Sequence, residues 1–457
     1  MELRIITVLG MIMILMGHSN ARMNVLFLIA DDMRPQLGSY SGNLFPFPVH
    51  PRMHTPNIDS LASKSLLLRR AYVQQALCSP SRASLLTCRR PDTTHVYDLD
   101  TYFRNVGGNF TTLPEYFKLH GYRTMGVGKI FHGTKESGGK DPQSWSEPYF
   151  YGNTNFEGKH SWQAIPDINL KDKPLVDRQI ADHAISSLRT LAPGAKSGHK
   201  YFFLAVGFRK PHLPFVFPES IMQSYYPESS IQLPPNPYAP VNMPRIAWAS
   251  YNELRFQYGD MYRLHLSGVI NTTIPNNVTL DLRRAYYSAI TWVDSLVGEV
   301  IAELDRLGLA NNTVISFLGD HGYQLGEHGE RCKHTNFEIA THAPLMIHIP
   351  GMTDQGIKTN QLAEFVDIHP TIVEAAGLGT LPVCPVNSMQ TKACHEGASL
   401  IPLIRQPSVA VKQAAFSQYP RGKHIIGYSL RNYRYRYTEW VDFTYAPVYK
   451  PNWNNVS

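Results

Sequence analysis

The stretch "NVLFLIADD" at residues 24–32 decides the fold, because an apolar run ends there in two carboxylates. A continuous apolar run of this length fits a strand that is buried on both faces, as in a parallel sheet covered by helices. Asp31 and Asp32 follow at its carboxyl end, which is where open α/β sheets place their ligands. The stretch therefore predicts both an α/β architecture and the position of a site.

A second stretch, "TVISFLGDHG" at residues 313–322, has the same form and leads into Asp320 and His321. Carboxylates at two strand ends of one sheet indicate a hard-cation site, because oxygen-rich ligation favours Ca²⁺ or Mg²⁺ over zinc. Taken alone, each acidic end also fits a solvated strand end, a helix cap or a turn. Two such ends on one sheet favour the metal interpretation.

The rest of the chain alternates strand-like and helix-like patterns. Further strand candidates are "YRTMGVG" (122–128), "KYFFLAVGF" (200–208) and "APLMIHIP" (343–350). Helical patterns are "IDSLASKSLLL" (58–68), "LPEYFKLHG" (113–121) and "YYSAITWVDSLVGEVIAELDRLGL" (286–309). This alternation predicts an α/β fold with a mainly parallel sheet flanked by helices.

Two segments depart from that alternation. The Pro-rich stretch 209–250 predicts a long irregular loop at the rim of the fold, where binding residues often lie. After residue 405, "GYSLRNYRYRYTEWVDFTY" alternates aromatic and polar residues, which indicates antiparallel strands of a smaller α+β subdomain. We therefore divide the chain into a catalytic domain at 22–405 and a C-terminal subdomain at 406–457.

The N-terminus predicts a secretory signal peptide at residues 1–21. A basic residue in "MELR" precedes the apolar run "IITVLGMIMILMG", and "SNA" fits a small-x-small cleavage site. No later stretch is apolar for long enough to span a membrane, so we expect no transmembrane helix in the mature chain. Glycosylation sequons support the secretory route and begin at Asn109, Asn271, Asn277, Asn311 and Asn455.

The formal net charge is +7, and 19 histidines add further positive charge as pH falls. That balance suits a polyanionic substrate or an acidic compartment, and it equally fits a generally basic surface. The sequence lacks Lys/Arg blocks and Arg–aromatic interleaving, so nucleic acid is not an expected partner. The chain has only five cysteines, too few for a disulfide scaffold, and their spacing gives no paired CxxC zinc motif.

The stretch "CSPSRASLLT" at residues 78–87 carries the most specific signal. It resembles the signature of the sulfatase family, in which Cys-x-Pro-x-Arg directs oxidation of the cysteine to formylglycine. Further blocks extend the resemblance from about residue 24 to residue 440, among them "VGKIFH", "FFLAVGFRKPHLPF", "DHGYQLGEHGE", "NFEIATHAPLM" and "SQYPR". They are most similar to the family members that act on glycosaminoglycans, and they imply an alkaline-phosphatase-like α/β fold.

The resemblance also implies a site. It assigns Ca²⁺ to Asp31, Asp32, Asp320, His321 and the modified Cys78, although many members carry Asn where this chain has His321. Arg82 would brace the nucleophile, while Lys129, His132, His212 and Lys333 would bind the sulfate and protonate the leaving oxygen. Asp141 is a further candidate for substrate contact. Cys78 is expected at the start of a helix with Pro80 in the first turn, because a helix N-terminus favours an anion.

The activity implied is hydrolysis of sulfate esters, with the 2-sulfate of terminal iduronate in heparan or dermatan sulfate as the expected target. Its implied partners are a sulfated glycosaminoglycan and a formylglycine-generating enzyme, and its implied location is the lysosome or the exterior of the cell. The alternatives are a sulfatase for another sulfated sugar or an aryl sulfate, and a secreted pseudoenzyme that binds sulfated polysaccharide.

The remaining cysteines carry three expectations. The resemblance implies a disulfide between Cys384 and Cys394. Cys88 and Cys332 are then expected to pair with each other. Cys88 also stands where the family usually has Gly, so a left-handed residue at that helix end would cost about 1 kcal/mol. Finally, the chain ends before the acidic tail expected of the family, so the C-terminal subdomain is expected to be incomplete.

Overall fold

The computed structural model describes residues 22–41, 51–133 and 135–456, and the expected signal peptide lies outside these residues. The strands are β1 (Asn24–Ala30), β2 (Leu66–Tyr72), β3 (Arg123–Gly128), β4 (Trp162–Ile165), β5 (Phe202–Phe208), β6 (Phe215–Pro218), β7 (Thr313–Gly319), β8 (Gln324–Leu325), β9 (Arg331–Cys332), β10 (Leu345–His348), β11 (Ile357–Glu364), β12 (Ala415–Arg421), β13 (Ile425–Arg431), β14 (Arg436–Thr444) and β15 (Lys450–Val456).

The helices range from single turns to a rod of eight turns or more. They are α1 (Pro56–Ser63), α2 (Cys78–Thr87), α3 (Pro91–Thr94), α4 (Phe103–Val106), α5 (Leu113–Leu119), α6 (Val176–Lys196), α7 (Glu219–Tyr225), α8 (Asn252–Gln257), α9 (Gly259–Tyr262), α10 (Asn276–Arg306), α11 (Glu338–Thr341), α12 (Ile368–Ala375) and α13 (Pro402–Arg405). Among the described residues, none of these helices combines the length and apolar character needed to cross a membrane.

The main sheet has seven strands in the order β11-β2-β10-β7-β1-β5-β3. Strand β10 runs antiparallel to both of its neighbours, and the other pairs in this sheet are parallel. The prediction of a mainly parallel α/β sheet is therefore confirmed. Strands β1 and β7 are direct neighbours at its centre, which brings their carboxyl ends together.

Both faces of strand β1 are buried, as its continuous apolar run predicts. Leu26, Leu28 and Ala30 pack into the core on one face, which helices α1, α6 and α10 cover. The alternate residues Val25 and Phe27, together with Ile29, pack into the core on the other face with α2, α5 and α12. The main sheet thus lies between two layers of helices, which cover both of its faces.

One helical expectation is wrong. Helix α1 ends at Ser63, and the leucines that follow, Leu66 to Leu68, belong to strand β2. They are buried between strands β10 and β11, and successive leucines face opposite cores. A short apolar run fits a buried helix or a buried strand equally well, and the sheet partners decide between the two.

The C-terminal part is a four-stranded antiparallel sheet in the order β12-β13-β14-β15, and residues 406–456 contain strands and turns but no helix. A buried ion cluster joins it to the main sheet. Glu364, at the end of β11, accepts from both terminal nitrogens of Arg90 at 2.7 and 2.8 Å, and from Lys412 at 2.8 Å. Lys412 also contacts Asp367 at 2.6 Å. These ion pairs fix the start of the small sheet against the main sheet.

The cysteine expectations have mixed outcomes. Cys384 and Cys394 form the expected disulfide. Cys88 and Cys332 are both buried and free, so their predicted pairing is wrong. The Cys88 thiol donates to the Val366 carbonyl oxygen at 2.9 Å, whereas the Cys332 sulfur accepts from the Tyr323 hydroxyl at 3.5 Å. Each thiol has its own partner on a different element.

Cys88 ends helix α2 in the left-handed conformation, with φ 60° and ψ 31°. This backbone geometry normally favours glycine, because a Cβ atom crowds the following carbonyl oxygen. The side chain is fully buried, and its thiol hydrogen bond offsets part of that strain. The helix that begins at Cys78 therefore ends at a strained residue.

Cys88→Gly and Cys88→Ala should separate the strain from the hydrogen bond. Both substitutions remove the thiol, but only glycine relaxes the left-handed backbone. We expect the Gly variant to be more stable than the Ala variant by about 1 kcal/mol in the free energy of unfolding. Urea unfolding midpoints measure this difference. Ala83→Gly, in the regular part of the same helix, is the control and should lower stability. Equal midpoints for the two Cys88 variants would contradict the assigned strain.

Candidate active site

Helix α2 presents Cys78 as its first residue, and Pro80 lies in the first turn as expected. The whole helix is buried, so its N-terminal N–H groups face the protein interior at the carboxyl ends of the central strands. Ser81 fixes the helix there, because its hydroxyl donates to the carbonyl oxygen of Asp320 at 2.5 Å. The positive end of a ten-residue helix thus points at the strand ends.

The carboxyl ends of β1 and β7 meet beside this helix. The Asp32 N–H donates to Asp320 Oδ1 at 2.8 Å, and the Asp320 N–H donates to the Ala30 carbonyl at 3.1 Å. Asp32 has a φ of 61°, a left-handed conformation that Asp tolerates better than most residues. This turn directs Asp31 and Asp32 into one buried space, where neither side chain is exposed.

Three potential ligand groups surround Cys78, which makes a set of four with its own sulfur. Its sulfur lies 3.5 Å from Asp31 Oδ1, 4.0 Å from Asp32 Oδ1 and 3.5 Å from His321 Nε2. One ligand atom from each of these residues lies within 4.8 Å of the others. His321 Nδ1 lies 2.9 Å from the Gly322 carbonyl, so it carries the proton and leaves Nε2 free as a ligand.

Asp320, the remaining predicted ligand, lies at the side of this group. Its Oδ2 is 3.6 Å from His321 Nε2 and accepts from Arg82 Nε at 3.0 Å. Oxygen donors dominate the set, which suits a hard divalent cation such as Ca²⁺ or Mg²⁺. The side chains of Asp31, Asp32, Cys78 and His321 therefore fit a metal ion, and Asp320 lies beside them.

Three cations neutralise the three carboxylates. Lys333 Nζ lies 2.7 and 2.8 Å from the two oxygens of Asp32, and Lys129 Nζ pairs with Asp31. Arg82 bridges Asp31 at 3.1 Å and Asp320 at 3.0 Å. Both lysines also approach the Cys78 sulfur, at 3.6 Å for Lys129 and 3.8 Å for Lys333.

The charges shift the pKa values of these groups. Burial raises the pKa of Asp31, but Lys129, His212 and Arg82 outweigh it and hold that pKa well below the ordinary value. Burial opposes the charged form of Lys333, but the Asp32 carboxylate and the other nearby anionic groups together outweigh it and raise the pKa well above the ordinary lysine value. Burial, with a contribution from Asp31, raises the pKa of the Cys78 thiol well above its ordinary value. The unmodified cysteine is therefore held as a thiol.

Two histidines face the same space. His212 Nε2 lies 4.0 Å from Asp32 and 3.7 Å from Glu253, and its Nδ1 lies 2.5 Å from the Leu213 carbonyl. Burial and the neighbouring lysine charges lower the pKa of His212 well below its ordinary value, and they lower the pKa of His132 to about 3. Both imidazoles are therefore neutral at mildly acidic pH in the free protein.

A cavity of about 750 Å³ opens above Cys78. Its walls come from the predicted site, from the segment that follows the Pro-rich stretch, and from the end of β12. Its lining includes Cys78, His132, His212, Trp248, Ala249, Ser250, Glu253, Lys333, His334, Tyr419 and Arg421. The structure thus brings together the predicted residues Cys78, His132, His212 and Lys333 in one cavity, with Lys129 and Arg82 beneath it.

Sequence reasoning missed Glu253 and Arg421, although both line this cavity. Glu253 Oε2 lies 3.8 Å from Lys333 Nζ, so it completes the charge pattern around the site. The Pro-rich stretch signalled a rim segment, but no motif singled out the acidic residue just after it. Arg421 lies in the quoted block "SQYPR", and nothing in its spacing indicated that β12 reaches the cavity.

Asp141 is not part of the site, so its expected role in substrate contact is wrong. Its carboxylate is fully buried and accepts from Arg104 Nε at 2.6 Å and Nη2 at 2.9 Å, and from the hydroxyls of Tyr102 and Ser144. These four donors use its acceptor capacity. Asp141 therefore anchors the loop after β3 to helix α4.

Glu330 holds the backbone of the cavity wall in place at Ala249. Its Oε1 accepts from the Ala249 N–H at 2.8 Å, while its buried Oε2 has no hydrogen-bond partner within the described part of the chain. Burial raises the pKa of Glu330 to about 8, although the Ala249 N–H and the charges of Arg421 and Arg331 oppose this. The fold therefore accommodates the neutral acid better than the carboxylate.

The sequence and the fold resemble those of known proteins. A family model described as Sulfatase matches residues 23–378. Human iduronate 2-sulfatase is 38% identical and mouse iduronate 2-sulfatase is 37% identical, each across 92% of this chain and 85% of its own. A solved structure described as a complex with its substrate D-glucosamine-2-N,6-O-disulfate has a TM-score of 0.67 at 19% identity, covering 94% of this chain and 90% of its own, which shows a shared fold.

Glu330→Gln should change how stability depends on pH. The folded pKa is about 8 and lies above the ordinary glutamate value, so this group stabilises the fold below about pH 4.5 and its contribution is lost as pH rises through 8. Between pH 5 and 8 the wild type should lose up to about 1.4 kcal/mol of unfolding free energy per pH unit from this residue. The variant lacks that slope.

Urea unfolding at pH 5, 6, 7 and 8 tests this expectation. The difference between variant and wild type should move in favour of the variant as pH rises. Glu228→Gln, at an exposed surface carboxylate, is the matched control and should follow the wild-type curve. Parallel curves for wild type and Glu330→Gln would show that Glu330 is ionised in the folded protein.

Proposed function

We propose, from the premise that this chain belongs to the sulfatase family and is a sulfuric ester hydrolase, that it removes the 2-sulfate of terminal iduronate in heparan or dermatan sulfate. The nucleophile in this proposal is formylglycine made from Cys78. The single observation that carries the proposal is the position of Cys78. Cys78 begins a buried helix at the floor of the cavity. Polar atoms of four residues lie within 3.8 Å of its sulfur: Asp31, His321, Lys129 and Lys333.

The chemistry explains why an aldehyde is needed at this position. Hydration gives a geminal diol, one of whose hydroxyls attacks the sulfate sulfur while the sugar oxygen leaves with a proton. The second hydroxyl then loses its proton, the aldehyde re-forms, and sulfate leaves. A serine could form the sulfate ester but has no second hydroxyl to expel it. Covalent catalysis of this kind divides one difficult step into two easier ones.

The surrounding residues have distinct tasks in this proposal. Lys129 and Lys333 donate to the sulfate oxygens, since both ammonium groups already approach Cys78. Arg82 holds Asp31 and Asp320 in place below the nucleophile. His212 or His132 donates the proton to the leaving sugar oxygen, because both line the cavity above Cys78 and the charge of the bound anionic substrate favours the imidazolium that the free protein disfavours.

A metal ion fits the same proposal. Asp31, Asp32, Asp320 and His321 would hold it, together with the modified Cys78, and Ca²⁺ is the cation we assign to this oxygen-rich set. When bound it supplies positive charge that polarises the sulfate. The three carboxylates are fully buried, so they reach the ion without further desolvation.

Several observations support a charged sugar as the substrate. The relatives with 37% and 38% identity act, by name, on iduronate 2-sulfate. The cavity is open enough for a sugar residue, and lysine, arginine and histidine side chains line it. The net charge of +7 favours association with a polyanion, and that attraction weakens as salt rises.

The maturation route is part of the proposal. Conversion of Cys78 requires the formylglycine-generating enzyme of the secretory pathway. The expected signal peptide would bring the chain into that pathway before it reaches the lysosome or the exterior of the cell. The five sequon asparagines support this route, because all of them are exposed: Asn109, Asn271, Asn277, Asn311 and Asn455.

Cys78→Ser should trap the first half of the reaction. Chain produced with the converting enzyme should carry an aldehyde at residue 78 by mass spectrometry of the peptide, while Cys332 stays a thiol. In Cys78→Ser we expect turnover to fall to background and a sulfate ester to accumulate on the new hydroxyl. Cys78→Ala is the matched control, which folds equally but gains no sulfate. An active wild type with unmodified cysteine at residue 78 would refute the mechanism.

A panel of three substrates tests the assignment to iduronate. The converted protein is offered a 2-sulfated iduronate disaccharide, a 6-sulfated glucosamine disaccharide and an aryl sulfate. We expect kcat/KM to be highest for the first by at least about tenfold, because only this substrate places a carboxylate and a sulfate on one terminal sugar. A preference for either other substrate would reject iduronate and leave the sulfatase activity standing.

A further inference from the structure

The basic side chains that line the cavity differ in whether a carboxylate lies close to them. Lys333 pairs with Asp32 and faces Glu253, and His212 faces the same two carboxylates. Arg421 differs from them, because no carboxylate of the described residues lies within 4 Å of its guanidinium. The carboxyl group that acts on the pKa of Arg421 is that of Glu330, which is neutral below about pH 8. The wall formed by Arg421 therefore carries a positive charge without an ion-pair partner in the described chain.

The guanidinium is held rigidly in this position. Nε donates to the Ile246 carbonyl at 2.8 Å, and Nη2 donates to the Ala247 carbonyl at 3.3 Å. The guanidinium carbon Cζ lies 4.8 Å from the Tyr419 ring centroid and 5.5 Å from that of Trp440. Within the described residues, the one hydrogen-bond acceptor of Nη1 is the adjoining Pro420 carbonyl oxygen, at 3.3 Å. Arginine has five N–H donors, so donors remain for a ligand in the cavity.

An arginine held in this way is costly without an anion. Burial lowers the pKa of Arg421, yet a guanidinium stays protonated at any physiological pH. A partly buried cation that lacks a carboxylate gains most when a ligand supplies the negative charge. Neutral carbonyl acceptors fix its orientation but leave that charge uncompensated.

We propose that Arg421 binds the carboxylate of the same terminal uronate whose 2-sulfate faces Cys78. This inference rests on the proposed function. In a uronate the carboxylate is attached to C5, across the pyranose ring from C2, so the two anions of one sugar need two separate cationic sites. The lysines at Cys78 serve the sulfate, and Arg421 serves the carboxylate. Planar guanidinium and carboxylate groups match in a two-point hydrogen bond.

Glu253 favours the same orientation of the sugar. Its carboxylate lies 3.7 Å from His212 and 3.8 Å from Lys333, beside the sulfate end of the cavity. A second anion of the substrate would be repelled there, because like charges at this range raise the energy of the complex. Among the described residues that line the cavity, Arg421 is therefore the cation that remains available to the carboxylate.

The test varies the residue and the substrate together. The substrates are a methyl glycoside of 2-sulfated iduronate and its carboxyl-reduced analogue, in which CH₂OH replaces the carboxylate. The wild type should prefer the carboxylate substrate in kcat/KM by at least about tenfold, mainly through KM. In Arg421→Gln this preference should shrink to about threefold or less, because only the carboxylate substrate loses its partner.

Two further variants guard against a purely structural explanation. Arg421→Lys keeps the charge but loses the planar fork, so its preference should lie between those of the wild type and Arg421→Gln. Arg434→Gln removes an exposed arginine that packs on Tyr435 outside the cavity, and it should keep the wild-type preference. Far-ultraviolet circular dichroism and thermal unfolding compare the folding of all three variants.

The outcomes separate the two proposals. An equal loss of kcat/KM for both substrates in Arg421→Gln would overturn carboxylate binding and leave Arg421 as a clamp on the rim. A wild type without preference between the substrates would overturn it independently of any variant. A wild type that hydrolyses an aryl sulfate but neither iduronate substrate would reject the proposed function and carboxylate binding with it.

Discussion

The fold depends on charge balance in a space that excludes water. Asp31, Asp32 and Asp320 are fully buried at the meeting point of two central strands. Removing an isolated carboxylate from water costs several kcal/mol, and that cost is offset only by close counter-charges and hydrogen bonds. Lys129, Lys333 and Arg82 supply them from three other parts of the chain.

This balance also joins the elements that build the site. Lys333 and Asp32 are 301 residues apart, so their ion pair fixes the loop after β9 against the end of β1. Arg82 does the same for helix α2, since its side chain reaches Asp31, Asp320 and the backbone carbonyl of Ile130 at 3.0 Å. The nucleophile helix, two strand ends and a lysine-bearing loop are thereby locked together. Such preorganisation lets fixed charges stabilise a transition state without first reorienting.

The sequence predicted the parts of the site that follow directly from local pattern. Strands β1 and β7 were predicted with Asp31 and Asp320 at their ends, because both apolar runs are continuous and stop at polar residues. The placement of Cys78 followed from a specific motif. The prediction for Asp141 was wrong because its hydrogen-bond donors, Arg104 among them, are brought to it by tertiary packing that no local pattern encodes. The run at Leu66 was assigned to a helix for the same reason, since its sheet partners lie far away in the chain.

The residues that sequence reasoning missed both lie on the wall of the cavity, on elements other than those that carry the potential metal ligands. The groups assigned to catalysis and metal binding lie on the central sheet, helix α2 and the loops anchored to them, where buried ion pairs leave them little freedom. Glu253 and Arg421 lie on the rim segment and on the small C-terminal sheet, which contribute cavity wall but none of the metal ligands. Arg421 itself ties the two together through the carbonyls of Ile246 and Ala247. Under the two proposals, a substitution on that rim would alter which sugar binds while the buried charge balance around Cys78 stays intact.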